Sequence, residues 1–162
     1  MSPPAVFLLA FFIGFFAGLR SLMPLTATAW AVRLRWLKLG AVLTWLGTTL
    51  AVVIFTTLAV AEIIYDKLPE TPPRTAPAGL IARMVMGGFT GACVAMAGHQ
   101  GIALGGIVGI AGALAGTFGG YRTRKQFVEA IGTKEQSPLS DRVAVVEDLI
   151  AIGGSLWVVS RF

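Results

Sequence analysis

Two pairs of acidic residues have the clearest capacity for chemistry in this chain. Glu62 and Asp66 are four residues apart, so a helix places both carboxylates on one face. Glu147 and Asp148 are adjacent near the start of an apolar run. Buried carboxylates pair with arginine or bind a proton or a cation, because an isolated charge in an apolar medium is strongly unfavourable. The two pairs therefore predict a polar site at the boundary of a hydrophobic structure.

Two arginines are the expected partners of these carboxylates. Arg83 follows shortly after the start of one apolar run, and Arg122 ends another. We expect Arg83 to pair with Glu62 or Asp66, and Arg122 to pair with the second acidic pair. Such a network either binds a small solute or ion, with the arginines holding an anionic group, or locks helix ends together by ion pairing. The residue types alone leave both interpretations open.

A third arginine belongs to a repeated motif. Gly14–Arg20 and Gly116–Arg122 both read G-x-F-small-G-x-R at the end of an apolar run. An arginine in hydrocarbon costs roughly 2.5–3.5 kcal/mol. The repeat suggests two related halves of inverted topology, as in several transporters. The two copies would then end on opposite membrane faces, and Arg20 would have no evident acidic partner.

The elements that must position these residues are membrane helices. Of the 162 residues, 56% are hydrophobic and 13% are charged, whereas a soluble domain carries about 25% charge. A span needs about 20 apolar residues. The sequence predicts an all-α integral membrane protein, a single transmembrane domain over residues 1–162 with halves at 1–66 and 79–162. Its five apolar segments are Ala5–Leu22, Gly40–Tyr65, Gly79–Ala97, Ile102–Gly120 and Val143–Val159.

The segment Met23–Leu39 contains Pro24, two tryptophans and three basic residues, which is typical of a short interfacial or re-entrant helix. The alternative is one long kinked helix over Ala5–Ala31, which would place Arg20 near the middle of the membrane. With five spans, the positive-inside rule places the N-terminus in the cytoplasm and the C-terminus outside.

Seven glycines between positions 105 and 120 continue a glycine-rich third segment. Small residues at helical spacing let helices approach closely, so the third and fourth segments are expected to form a tightly packed hairpin. The turn is expected at Gly98–Gly101.

Signatures of catalysis are scarce. No Walker loop, nucleophile elbow or histidine metal pair is present, so we expect neither an enzyme nor a cofactor or metal site. The net charge of +5 records topology and lipid contact rather than a nucleic-acid partner. The residues predicted to bind a substrate or ion are Arg20, Glu62, Asp66, Lys67, Arg74, Arg83, Arg122, Glu147 and Asp148.

Several of these residues stand in stretches that resemble a known family. The most specific stretch is Ala61–Thr75, which reads A-E-x-x-x-D-K-L-P-x-x-P-x-R-T, and Gly18–Ser21, Gly120–Arg124 and Val146–Asp148 accompany it. Together they resemble the DUF4126 family of small bacterial membrane proteins of uncharacterised function. The resemblance covers nearly the whole chain and implies a multi-pass protein of the bacterial inner membrane. It supplies no activity.

The leading functional hypothesis is a small transporter or channel-like protein for a small solute or ion. Five short spans enclose little volume, so a path would need a homo-oligomer, with a dimer favoured. The alternative is a membrane scaffold or partner-binding subunit that transports nothing. An enzyme acting on lipid headgroups ranks third, because no nucleophile with a partnered base is evident.

Overall fold

The computed structural model is helical throughout the residues it describes, which are 1–66, 76–131 and 138–162, without the side chains of 124, 127–131 and 138–143. Lys67 and Arg74 of the predicted site lie outside the described residues. The described residues form six α-helices and one 3₁₀ helix. They are α1 (Pro3–Leu19), α2 (Leu22–Arg33), the 3₁₀ helix (Ala41–Gly47), α3 (Thr49–Tyr65), α4 (Pro77–Ala97), α5 (Ile102–Ile131) and α6 (Pro138–Val159).

The first predicted segment is broken at Arg20, two residues before its expected end at Leu22. Arg20 leaves the helix with φ −141° and ψ 114°, and α2 begins two residues later. Pro24 explains the break, because it has no N–H to donate to the carbonyl of Arg20 and its ring would clash there in a continuous helix. In the first turn of α2 the same proline is tolerated. The predicted short helix after the first span is therefore present, and the single long helix is wrong.

The chain reverses direction at this break. Val6, near the start of α1, packs against Gly98 at the end of α4. Gly40, which follows α2, donates its N–H to Met96 Sδ at 3.4 Å in the same region. Helix α2 thus returns to the end of the bundle at which α1 begins. We call this the terminal end, and the opposite end, with the α1–α2 turn, the Arg20 end.

The two copies of the repeated motif lie on parallel helices. Phe15 packs against Gly116 and Leu19 against Gly120, and Thr117 Oγ1 donates to the Gly18 carbonyl at 3.2 Å. Residue numbers rise together along α1 and α5, so both copies finish at the Arg20 end. The prediction of inverted copies ending on opposite faces is wrong. The prediction assumed five passes, an odd number, because it treated the segment of α2 as a connection. In the structure α2 runs back along the bundle and adds a pass.

The termini also share one end. Arg20 contacts Asp148, Phe16 packs on Gly154 and Phe12 meets Trp157, so α6 runs antiparallel to α1. The expectation of termini on opposite sides is therefore wrong, for the same reason as the inverted repeat.

Helices α1, α4 and α5 form the tightest part of the bundle. A Cβ on Gly14 would meet the Gly109 backbone. A Cβ on Gly87 would lie 2.7 Å from Ala113 Cβ and 2.9 Å from the Gly109 carbonyl oxygen. Backbones this close require glycine on the facing surfaces. The predicted glycine-rich hairpin of α4 and α5 is confirmed, and α1 is its third member.

Within the described residues, two helical stretches are long and apolar enough to cross a membrane, Pro77–Ala97 and Ile102–Thr123. The 3₁₀ helix and α3 would make a third if counted as one span, although they are bent by 60° at Thr48. Helix α1 is apolar but shorter, with 17 residues. The prediction of about five spans is thus not confirmed.

Candidate functional site

The candidate site is centred on Arg20, whose side chain is only 1% exposed. Its Nε donates to Asp148 Oδ1 at 2.5 Å, and its Nη1 donates to Asp66 Oδ2. Asp66 follows the last turn of α3, and Asp148 belongs to α6. One guanidinium therefore joins the α1–α2 turn to two helices that are distant in sequence. The expectation that Arg20 has no acidic partner is wrong, because the chain reversal brings it to the carboxylate end.

Glu62 binds the beginning of α2. It accepts hydrogen bonds from Ser21 N at 2.9 Å, Ser21 Oγ at 2.5 Å and Leu22 N at 3.0 Å. The first N–H groups of a helix have no intrahelical partner and carry partial positive charge. A carboxylate from α3 satisfies two of them here. The described hydrogen bonds of Glu62 are thus to the start of the broken helix, and the predicted pairing of Arg83 with Glu62 or Asp66 stays a prediction.

Two further charged side chains lie toward the same end. Arg83 is buried in α4, one helical turn nearer the Arg20 end than Gly87. Glu147 is half-buried in α6, with Oε1 3.4 Å from where a Cβ on Gly120 would be. Two buried arginines and four carboxylates thus lie toward this end among the described residues, in addition to exposed basic residues of α5. The carboxylates are groups that can take up a proton, and the arginines are groups that can hold an anion.

Arg122 does not join the centre. Its side chain is exposed, and Asp148, one of its predicted partners, is bound to Arg20 instead. The predicted site residues that the structure brings together are Arg20, Glu62, Asp66 and Asp148, with Arg83 and Glu147 nearby. Ser21 was missed by the sequence reasoning. Its position directly after Arg20 and three residues before Pro24 is the signal that could have identified it as the start of a capped helix.

One donor of the centre has no hydrogen-bond partner among the described residues. Arg20 Nη2 is buried, while the other two guanidinium nitrogens bind carboxylates. A buried donor without an acceptor is unfavourable by about 1–3 kcal/mol. An oxygen atom of a ligand or of a water molecule would satisfy it. In the part of the chain that the structure describes, no group of three or more His, Cys, Asp and Glu residues could hold a metal ion.

A shallow groove reaches the site from outside the bundle. It lies between the start of α2 and the end of α3, has a volume of about 500 Å³, and is lined by Leu22, Leu58, Ala61, Glu62, Ile64 and Tyr65. Glu62 is the charged residue of this lining. The groove therefore connects the exposed apolar surface of α3 with the carboxylate that binds the broken helix.

Comparison with known proteins identifies a family and no activity. Searches among curated proteins and among solved structures gave no match. A family model described as "Domain of unknown function (DUF4126)" matches residues 7–160. The match covers nearly the whole chain and agrees with the resemblance carried by Ala61–Thr75, so the chain belongs to the DUF4126 family.

Proposed function

We propose that this chain is a small transporter or channel-like protein of the bacterial inner membrane, and that the Arg20 centre is its site for a small ion. One observation carries the proposal: an arginine with 1% exposure stands at a helix break and is bound by carboxylates from α3 and α6. Intramembrane charges are costly and usually mark ion or substrate pathways. Broken helices whose ends bind charged groups are the usual construction of transporter sites.

The proton is the ion that the centre suits best. Asp66 and Asp148 each accept a hydrogen bond from the same buried guanidinium, and a carboxylate in that position can take up a proton. Protonation of Asp66 or Asp148 would also weaken its hold on Arg20, because the charge-assisted hydrogen bond is about twice as strong as a neutral one. A proton needs no coordination shell, in keeping with the absence of a metal-binding group among the described residues.

The packing suggests which parts would move. Helices α1, α4 and α5 contact one another through glycine backbones and form a rigid unit. Helix α3 packs mainly on α2 and on the 3₁₀ helix. The ion pair of Asp66 and the hydrogen bonds of Glu62 attach α3, and with it the 3₁₀ helix, to the α1–α2 turn. Neutralising either carboxylate would let α3 and the 3₁₀ helix move relative to the unit of α1, α4 and α5.

Proton flux into liposomes tests the proposal. The purified chain is reconstituted with a pH-sensitive dye inside, and a valinomycin-driven potassium potential drives protons inward. We expect wild-type flux above that of empty liposomes, and reduced flux in Glu62→Gln and Asp66→Asn. Arg122→Gln is the matched control, since it removes an exposed charge at the same end. Flux equal to that of empty liposomes, or equal flux in all variants, would refute the role of the centre.

A membrane scaffold is the second candidate, because Arg20 has carboxylate partners on two sides and is closed to solvent. A scaffold would show no flux in that assay although Asp66→Asn destabilises it. A homodimer is part of our proposal in either case. The exposed apolar face of α3, with Leu50, Val53 and Leu58, would supply its interface, and light scattering of the purified chain would measure the dimer mass.

The membrane orientation follows from the basic residues. The terminal end carries Arg33, Arg35, Lys38 and Arg161, and the other nine of the 13 belong to the Arg20 end or to segments that join helices there. By the positive-inside rule we propose that the Arg20 end faces the cytoplasm. Both termini would then be outside, which revises the cytoplasmic N-terminus predicted from five spans.

A further inference from the structure

A second surface, which runs along α2 from its start toward the terminal end, has a different chemistry from the Arg20 centre. A groove of about 360 Å³ runs between α2 and α6 and is lined by Met23, Thr26, Ala27, Trp30, Ala31, Leu34, Trp36, Ile152 and Leu156. From Met23 to Leu34 it extends about 17 Å along α2, at 1.5 Å per residue. The hydroxyl of Thr26 donates to the Leu22 and Phe55 carbonyls at 2.9 and 3.0 Å. The groove therefore suits an apolar, elongated occupant.

Two basic residues follow the groove-lining part of α2 in the sequence. Arg35 stands between Leu34 and Trp36, which both line the groove, and Lys38 follows three residues later. Both basic side chains are exposed. Every acidic residue of the chain lies between positions 62 and 148, so no Asp or Glu occurs in α1, in α2 or in the last fourteen residues. An occupant with an apolar tail and an anionic head matches this arrangement.

Arg35 also occupies a backbone position that normally favours glycine. Its φ is 62°, and the turn is closed by Trp36 N donating to the Ala31 carbonyl at 2.9 Å and Arg35 N donating to the Val32 carbonyl at 3.1 Å. These two bonds form the Schellman motif, whose left-handed residue is usually Gly because a Cβ is strained there. Arginine is less favourable than glycine at this position, so replacing it with glycine tests the side chain without straining the turn.

We propose that the α2–α6 groove binds an anionic phospholipid, with an acyl chain along Met23–Leu34 and the phosphate at Arg35 and Lys38. Amphipathic surfaces with basic residues bind anionic lipids in two ways, by burying apolar groups and by attracting the charged headgroup. Trp30 and Trp36 are 40% and 43% exposed, and tryptophans are enriched where membrane proteins meet lipid headgroups. The site is independent of ion transport and of the Arg20 centre.

Native mass spectrometry of the full chain in detergent tests the site. The probes are palmitoyl-oleoyl phosphatidylglycerol, the matching phosphatidylcholine, and acyl-free glycerophosphoglycerol. We expect tighter binding of phosphatidylglycerol than of phosphatidylcholine, and no binding of the acyl-free headgroup at the same concentration. Each basic residue near a membrane surface contributes about fivefold in affinity, so R35Q/K38Q should weaken phosphatidylglycerol about 25-fold and leave phosphatidylcholine unchanged.

Arg35→Gly separates binding from folding. Glycine suits the left-handed position, so the melting temperature should stay equal or rise while phosphatidylglycerol affinity falls about fivefold. Arg122→Gln, an exposed charge at the other end, should bind both lipids as the wild type does. Equal affinity for the two lipids, or wild-type binding by R35Q/K38Q, would overturn the proposal. A dimer whose formation removes the phosphatidylglycerol adduct would assign the groove to a second copy and overturn it as well.

Discussion

Replacing Arg20 with methionine should be among the most destabilising single changes in the bundle. The substitution keeps an elongated side chain but leaves two carboxylates without their cation. The side chains of Asp148 and Asp66 are only 10% and 17% exposed. Hydrogen bonds to charged groups contribute about 1.5–3 kcal/mol each, so losing two should cost about 3–6 kcal/mol. Removing one member of a buried ion pair costs about 3–5 kcal/mol in measured cases, which agrees.

The experiment compares this variant with a fully neutral centre. Arg20→Met, Asp66→Asn and Asp148→Asn are combined in one chain, which removes the arginine together with both buried negative charges. Replacing a whole buried ion pair by neutral groups is often tolerated, whereas breaking it is not. We therefore expect the triple variant to be more stable than Arg20→Met alone by about 2 kcal/mol or more.

Unfolding of the purified chains by increasing SDS in mixed micelles, followed by tryptophan fluorescence, measures the difference. The four tryptophans of the chain provide the signal. Arg122→Gln is the control and should unfold as the wild type does, because its side chain is exposed. A cost below about 1 kcal/mol for Arg20→Met, or a triple variant no more stable than the single one, would refute the buried ion pairs.

Other changes have distinct signatures. Glu62→Ala should lower the unfolding free energy by about 1–2 kcal/mol, since it removes the acceptor for two N–H groups at the start of α2; an unchanged SDS midpoint would show that the cap contributes nothing. Gly14→Ala should cost at least about 1–3 kcal/mol, because its Cβ would overlap the Gly109 backbone. Gly119→Ala, with nothing within 4 Å of the added Cβ, should instead raise stability by up to about 1 kcal/mol in the same titration. Loss of stability in both glycine variants would contradict the assigned helix faces.

Much of the helical content follows from the sequence. Helix α4 begins two residues before the predicted start and ends at Ala97 as expected, because an uninterrupted apolar run is bounded by Pro77 and by a glycine turn. Helix α5 extends eleven residues beyond Gly120. The hydropathy falls after Gly120, and this marks the end of a membrane span but does not end a helix. The helix continues because the interior of the extension contains no glycine or proline.

The composition of the site was predictable, and its pairing was not. Carboxylates and arginines in apolar runs must find partners, and this requirement selected Arg20, Asp66 and Asp148 from their residue types alone. Which charges meet depends on the direction of each helix. The reversal between α1 and α2, which Pro24 explains, places Arg20 at the end of the bundle where Asp66 and Asp148 lie. The sequence contained the proline, but hydropathy could not distinguish a return pass of 12 residues from a surface connection.

Proton flux through the neutral triple variant tests the role of the Arg20 centre most directly. Arg20→Met/Asp66→Asn/Asp148→Asn is expected to fold and to lack all three charges, so loss of transport in it cannot be attributed to unfolding. In liposomes with an internal pH-sensitive dye and a valinomycin-driven potential, we expect wild-type flux for Arg122→Gln. We expect flux no greater than that of empty liposomes for the triple variant. Wild-type flux through a folded triple variant would show that the Arg20 centre does not carry the ion.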